Sequence, residues 1–211
     1  AWALTVMPAR FALEREAWEE AAALTPGRQT APLVLANTHF ARAIGAARAG
    51  RPQDSVADIE ALKAVAATLR GANDAYWADQ TEILRLSAEA WAAFARGERE
   101  PALAALREAA VREDRTDKHP VTPGPLFPAR EQLAEMLLLM DRPAEAQREY
   151  EAVQKTEPRR FRAVHGAARS AERAGDRDAA RRHYALLLEV AAKAEMPNPT
   201  LAAARAYLDQ R

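Results

Sequence analysis

Cysteine is absent from the 211 residues, so neither a disulfide framework nor a cysteine-based zinc site can hold this chain together. That absence leaves cytoplasm and periplasm equally open. Long apolar runs are missing too. Nothing approaches the ~20 residues of a membrane-spanning helix, which argues against membrane insertion. Aromatic residues are only 6 % of the chain, too few for one large aromatic core. A surplus of either charge is also lacking: 30 basic residues face 30 acidic ones, which removes the global argument for nucleic acid or an anionic membrane. Lysine is scarce, with only Lys63, Lys118, Lys155 and Lys193 among the 30 basic residues. This bias suggests a GC-rich bacterial coding sequence and concerns origin, not function. Of the four histidines, His39, His119, His165 and His183, none are paired at helical i, i+4 spacing. The phosphate-binding glycine loops, the nucleophile elbow and the zinc-protease helix are all missing. The carboxylates alternate with arginines, as on solvated helix faces. The expectation is a protein that is not an enzyme and needs no cofactor.

What remains favours helix. Hydrophobic residues make up 49 %, much of it alanine, with leucine, arginine and glutamate beside it. Helices rich in alanine pack closely through small contact residues. The chain starts at Ala1, not Met, directly in helix-like sequence, and reads as a fragment or processed chain.

A repeat is visible near the C-terminus. Ala146 and Tyr150 lie in a helix-like run closed by Pro158, and Ala180 with Tyr184 repeats the pair 34 positions later. The small residue lets two helices approach, and the aromatic fills the gap beside it. Turns at Asp141 and Gly175 precede these two helices. Upstream, Gly97 opens a helix with Ala102 and Leu106 in the same places, Gly50 precedes Ser55 and Ile59, and a turn near Glu16 precedes Ala21. The small positions are spaced by 34, 47, 44 and 34 residues. The first long interval predicts lengthened helices, roughly 53–70 and 73–96, joined at Gly71 to Asp74, with Asn73 or Asp74 as the cap. The second contains the segment Arg115 to Pro125, and four prolines between 120 and 128 forbid a helix there. Asn198-Pro199-Thr200 predicts a cap and first-turn proline for a final helix to about 209.

This pattern resembles the tetratricopeptide repeat (TPR) proteins, whose period is 34 residues. Met7-Pro-Ala-Arg10, His39-Phe-Ala-Arg42, Lys118-His-Pro-Val-Thr-Pro-Gly-Pro125 and Gly166-Ala-Ala-Arg169 resemble, more narrowly, the C-terminal part of larger bacterial TPR proteins. The resemblance implies an all-α solenoid of about five hairpins plus a C-terminal capping helix. In domain terms it implies hairpins over 1–114, a Pro-rich connector over 115–128 and hairpins with the cap over 129–211, all in one solenoid. The sequence departs from the TPR pattern where alanine replaces the usual glycine (Ala43, Ala90, Ala134, Ala168). It departs again where His39, Leu86, Arg130 and Val164 replace the usual tryptophan.

The resemblance also implies a concave groove lined by the first helix of each hairpin. Its register assigns Asn37, Phe40 and Ile44, then Ser87, Trp91 and Phe94, then Glu131, Glu135 and Leu138, then Arg162, His165, Arg169 and Glu172. The series runs from aromatic through acidic to basic, which suits an extended or helical peptide. Packing of Trp91 and Phe94 against neighbouring helices is the competing reading. Trp2, Trp18 and Trp77 fall outside the groove and are expected in the core. The loop 115–128 offers Lys118 and His119, with Glu113, Asp114 and Asp117 nearby, but a metal or acid–base site there would need further converging ligands. A stiff connector explains the prolines equally. Residues 155–185 hold nine basic against four acidic side chains, read as a solvated, ion-paired surface rather than a nucleic-acid patch. The expected function is protein or peptide recognition. The alternatives are a structural module, forming a homo-oligomer or filled by another part of a parent chain, and a metal-binding or enzymatic module at the loop.

Overall fold

The structure, a computed structural model, describes residues 2–26, 31–116 and 124–210, with side chains from residue 6 onward. Eleven α-helices and no strand occur among the described residues. They are α1 (Trp2–Glu14), α2 (Trp18–Ala22), α3 (Pro32–Arg48), α4 (Val56–Gly71), α5 (Ala75–Ala95), α6 (Arg99–Asp114), α7 (Ala129–Leu139), α8 (Pro143–Thr156), α9 (Phe161–Ala174), α10 (Arg177–Val190) and α11 (Pro199–Asp209). The chain forms two compact units, residues 1–129 and 130–211, the division falling after the first residue of α7. The expected helix from 53 starts instead as a 3-10 turn, Pro52–Ser55, before α4.

One turn is used repeatedly. Glu16, Gly50, Asn73, Gly97, Asp141 and Gly175 all have φ between 55° and 87°. At each, the following N–H reaches back five residues to a helix carbonyl, as Arg51 does to Ala46 (2.9 Å), Glu98 to Ala93 (3.0 Å) and Asp176 to Ala171 (2.9 Å). The left-handed residue itself bonds the carbonyl three back, as Gly97 does to Phe94 (2.9 Å). This satisfies the last carbonyls of one helix and reverses the chain into the next. Caps then start the new helix. The side chains of Asp176 and Asn198 accept from the backbone N–H of Ala179 (3.0 Å) and Thr200 (2.8 Å). Of the two predicted caps for α5, Asn73 takes the left-handed turn and Asp74 accepts from the Trp77 N–H at 3.4 Å.

All five small positions, Ala21, Ser55, Ala102, Ala146 and Ala180, are fully buried, as are Ala43, Ala90, Ala134 and Ala168. Serine is tolerated at 55 because its hydroxyl donates to the Ala43 carbonyl at 2.9 Å. In the first unit α3 packs against α1, α2, α4 and α5, and α5 against α4 and α6. In the second unit Ala134, Tyr150, Val153, Ala163 and Ala167 join α7, α8 and α9 in one apolar cluster. Ala168, Ala180, Tyr184, Leu187, Leu201 and Ala204 belong to a second cluster that joins α9, α10 and α11.

Candidate functional site

In the first unit the expected groove residues are enclosed. Phe40 is 0 % and Trp91 1 % exposed, Ser87 is buried, and Asn37 turns its amide back to donate to the Leu33 carbonyl at 2.8 Å. These four do not present a binding face, which corrects the register reading. The physical reason is that α3 lies directly against α5 as well as α4, so rings on these first helices close the core. Trp91 meets the Phe94 ring edge-on at 5.8 Å, and the Arg48 guanidinium lies 4.3 Å from the Trp91 ring centroid and 4.4 Å from that of Trp18. Trp91 is core, while Trp18 and Trp77 are only half-buried, and the Trp2 side chain lies outside the described ones. A separate cluster joins α3 to α4. Asp58 is held at 3.0 Å by Arg42 Nε and at 2.7 Å by His39 Nδ1.

In the second unit the expected residues come together, partly by pairing with one another. Glu131 on α7 is 1 % exposed, and its carboxylate accepts from Arg160 and from Arg162 Nε (3.0 Å). Arg162 Nη2 also donates to Glu135 at 3.0 Å, and Arg130 pairs with Glu149. A carboxylate this buried is tolerable only with such partners, because removing one would strand a charge. Arg162 is therefore committed to α7. The ring of Tyr150 packs on Gly166, and burial, with Glu135 and Glu131 nearby, pushes its hydroxyl well above the ordinary range. Tyr184 donates to Glu172 at 2.6 Å, and burial and that bond keep it protonated.

His165 and Arg169 complete this face of α9. Burial first, then the charges of Arg169 and Arg162, lower the His165 pKa to about 4, so its imidazole is neutral near pH 7. Arg169 is exposed and makes no hydrogen bond or ion pair with any described residue. On α7 and α9 the other arginines, Arg130, Arg162 and Arg173, each have an acidic partner.

Lys118 and His119 lie outside the described residues. The end of their loop is pinned within the first unit. Leu126 and Phe127 are buried, Arg10 donates to the Gly124 carbonyl (2.9 Å), and Glu113 accepts from the Ala129 N–H (2.9 Å). Most of the basic run at 155–185 is engaged internally: Arg159 pairs with Glu189, Arg173 with Asp141, and Arg181 donates to the carbonyls that end α11. Among the described residues no group of three or more His, Asp or Glu side chains gathers as a metal site would. No described helix is long and apolar enough to cross a membrane.

No protein-family profile matches the chain, and no curated protein is similar to it. Solved structures are. One is a variant of a Podosopora anserina protein with nearly identical TPR-like repeats, named as a candidate kinesin light chain. It shares 19 % identity, covers 86 % of each chain and superposes with a TM-score of 0.57. A second structure of such a protein shares 18 % identity over 92 % of this chain and 96 % of its own, at a TM-score of 0.48. At this identity the first likeness concerns fold alone. The chain has the TPR-like helical-repeat fold, a generic scaffold commonly used for protein interaction.

Proposed function

We propose that the protein recognises another protein or peptide, and that the second unit does so through the α7–α9 face carrying Glu135, Arg162, His165 and Arg169. The observation that carries this reading is Arg169, an exposed guanidinium left without a partner where the neighbouring arginines of α7 and α9 are all paired. A planar, bidentate donor on a rigid helix suits a directional contact to a carboxylate or a backbone carbonyl. The buried aromatics of the first unit support the scaffold and are not anchors.

The test compares Arg169→Glu with Arg148→Glu, a reversal at an exposed site on α8. Proteins captured by the wild-type chain from extracts of its source are identified by mass spectrometry. The expected result is loss of a captured partner with the first variant and retention with the second. Identical partners for both variants and the wild type would place recognition elsewhere.

A further inference from the structure

The first helices of the hairpins, α1, α3, α5, α7 and α9, align on the left-handed residue that follows each: Glu16, Gly50, Gly97, Asp141 and Gly175. The positions nine and five residues before it lie four apart and share one face of the helix. In α3, α5, α7 and α9 both positions are buried. On α3 and α9 they receive the second helix of the preceding hairpin. A Cβ on Gly45 would sit 2.5 Å from the Ala22 nitrogen and 2.6 Å from the Trp18 carbonyl oxygen of α2, and the Tyr150 ring of α8 fills the space beside Gly166. In α1 the same two positions are Met7 and Phe11, 65 % and 61 % exposed, and Pro8 beside them is exposed too. The Arg15 guanidinium lies 4.6 Å from the Phe11 ring centroid and still leaves the ring open. A second open face belongs to α11. Leu201 and Ala204 bury one side of that helix in the cluster with α9 and α10. Ala202, Ala203 and Ala206 are exposed on another side, at the same i, i+1, i+4 spacing as Met7, Pro8 and Phe11.

We infer that α1 of one copy packs on α11 of a second copy, with the Met7–Phe11 ridge lying along the Ala202–Ala206 row. Size chooses the occupant. Helices pack by setting a ridge of residues four apart into the groove of a neighbour. Within this chain a large side chain on one helix meets a position without one on the other, as Tyr150 meets Gly166. Met7 and Phe11 put the large residues on the receiving face, so the occupant must be small there. The open face of α11 offers three alanines, with Arg205 and Asp209 only at its border. A second α1 is the poorer occupant, because its own Met7 and Phe11 would set ridge against ridge. The contact continues the stacking already made by α2 on α3 and by α8 on α9. It is heterologous, each copy bringing one α1 face and one α11 face. It is also small. Helices of 13 and 11 residues overlap over at most about 16 Å. That buries roughly 300 Å² per partner, against about 800 Å² for a standard interface. The association is therefore weak and reversible, and it shows at roughly 0.1 mM and above.

Sedimentation equilibrium of the full chain, from about 20 μM to about 1 mM, covers the range expected of so small an interface. The weight-average mass should rise with concentration from that of one copy towards two and beyond. Phe11→Glu removes the ridge, and Ala206→Glu fills the row. Both sites are exposed, so both variants should keep the wild-type melting temperature. Should either melt low, Met7→Glu or Ala202→Glu takes its place. Each variant alone should stay a single copy. Mixed in equal amounts the two should associate again and stop at pairs, because the intact α1 of one meets the intact α11 of the other. A wild-type chain that is still a single copy at about 1 mM overturns the inference. Self-association of Ala206→Glu but not of Phe11→Glu would mean that two α1 helices meet, and removes α11 as the partner. Association unchanged in both variants places the contact elsewhere, and a mixture that stays at single copies rejects the match of the two faces.

Discussion

At His165 burial and two neighbouring guanidinium groups act in the same direction, and the consequence is a pH-dependent stability. The folded-state pKa is about 4, against an unfolded value near 6.5. Between these values the unfolded chain binds a proton that the folded chain does not. The stability associated with neutral His165 is therefore complete above pH 6.5 and is lost as the pH falls towards 4. Allowing for solvent screening of a partly exposed group, the loss should be about 1–2 kcal/mol. Urea unfolding at pH 7 and pH 4.5 should show that His165→Gln loses less stability by about this amount; equal losses would remove His165 as the cause. One residue along, Gly166 has no room for a side chain. A Cβ there would sit 2.2 Å from Tyr150 Cζ and 2.3 Å from Cε1, and that ring is itself 5 % exposed. Gly166→Ala should cost about 1–3 kcal/mol or more, whereas Arg148→Ala on the exposed side of α8 should stay within about 0.5 kcal/mol. Denaturant midpoints that fail to separate these variants would contradict the packing of α8 on α9.

Six of the helix junctions share one device, a left-handed residue that ends one helix and turns into the next. Three of the six turns use glycine, and the others use Glu16, Asn73 and Asp141, which bear the strain of a Cβ in that conformation. At Gly97 nothing lies within 4 Å of where a Cβ would be, so any penalty for Gly97→Ala comes from the backbone alone. The expected cost is about 1–2 kcal/mol with no change in helix content, read by thermal melting and far-ultraviolet dichroism. A melting temperature equal to that of the wild type would mean the turn can relax without loss.

At the scale of the molecule, each unit has to cover its own last apolar face. In the second unit α11 does this, with Leu201 and Ala204 buried against Tyr184 and Leu187, and with the Tyr207 ring tilted against that of Tyr184, their centroids 4.8 Å apart. Repeat arrays need such a terminal cover. Deleting residues 199–211 should expose that cluster. Re-exposing Leu201 and the ring of Tyr207 removes roughly 3 kcal/mol or more. For a unit of this size that corresponds to a fall in Tm of roughly 10 °C or more, with dye binding to the uncovered surface. An unaltered melt with no dye binding would show that α11 is not part of the cooperative unit.

The sequence by itself determined the helical class, the turns, the final capping helix and the five small positions. It could do so because each is a local requirement. A small residue at a helix crossing, a cap ahead of a helix and a proline that stops one are legible wherever they stand. The lysine–histidine loop lies outside the described residues and is not decided either way. Only the tertiary structure decided which first-helix side chains are covered. Phe40, Trp91 and Ser87 share a register with Arg162, His165 and Arg169, yet the first three are enclosed and the last two are not committed to any partner. Burial depends on how far a neighbouring helix overlaps, and α3 against α5 overlap enough to close the face. The ion pairs were equally hidden. Arg162 and Arg169 look alike in the chain, and only the approach of α7 engages one with Glu131 and Glu135 while leaving the other open, because pairing is set by distances between helices that a repeat period does not specify.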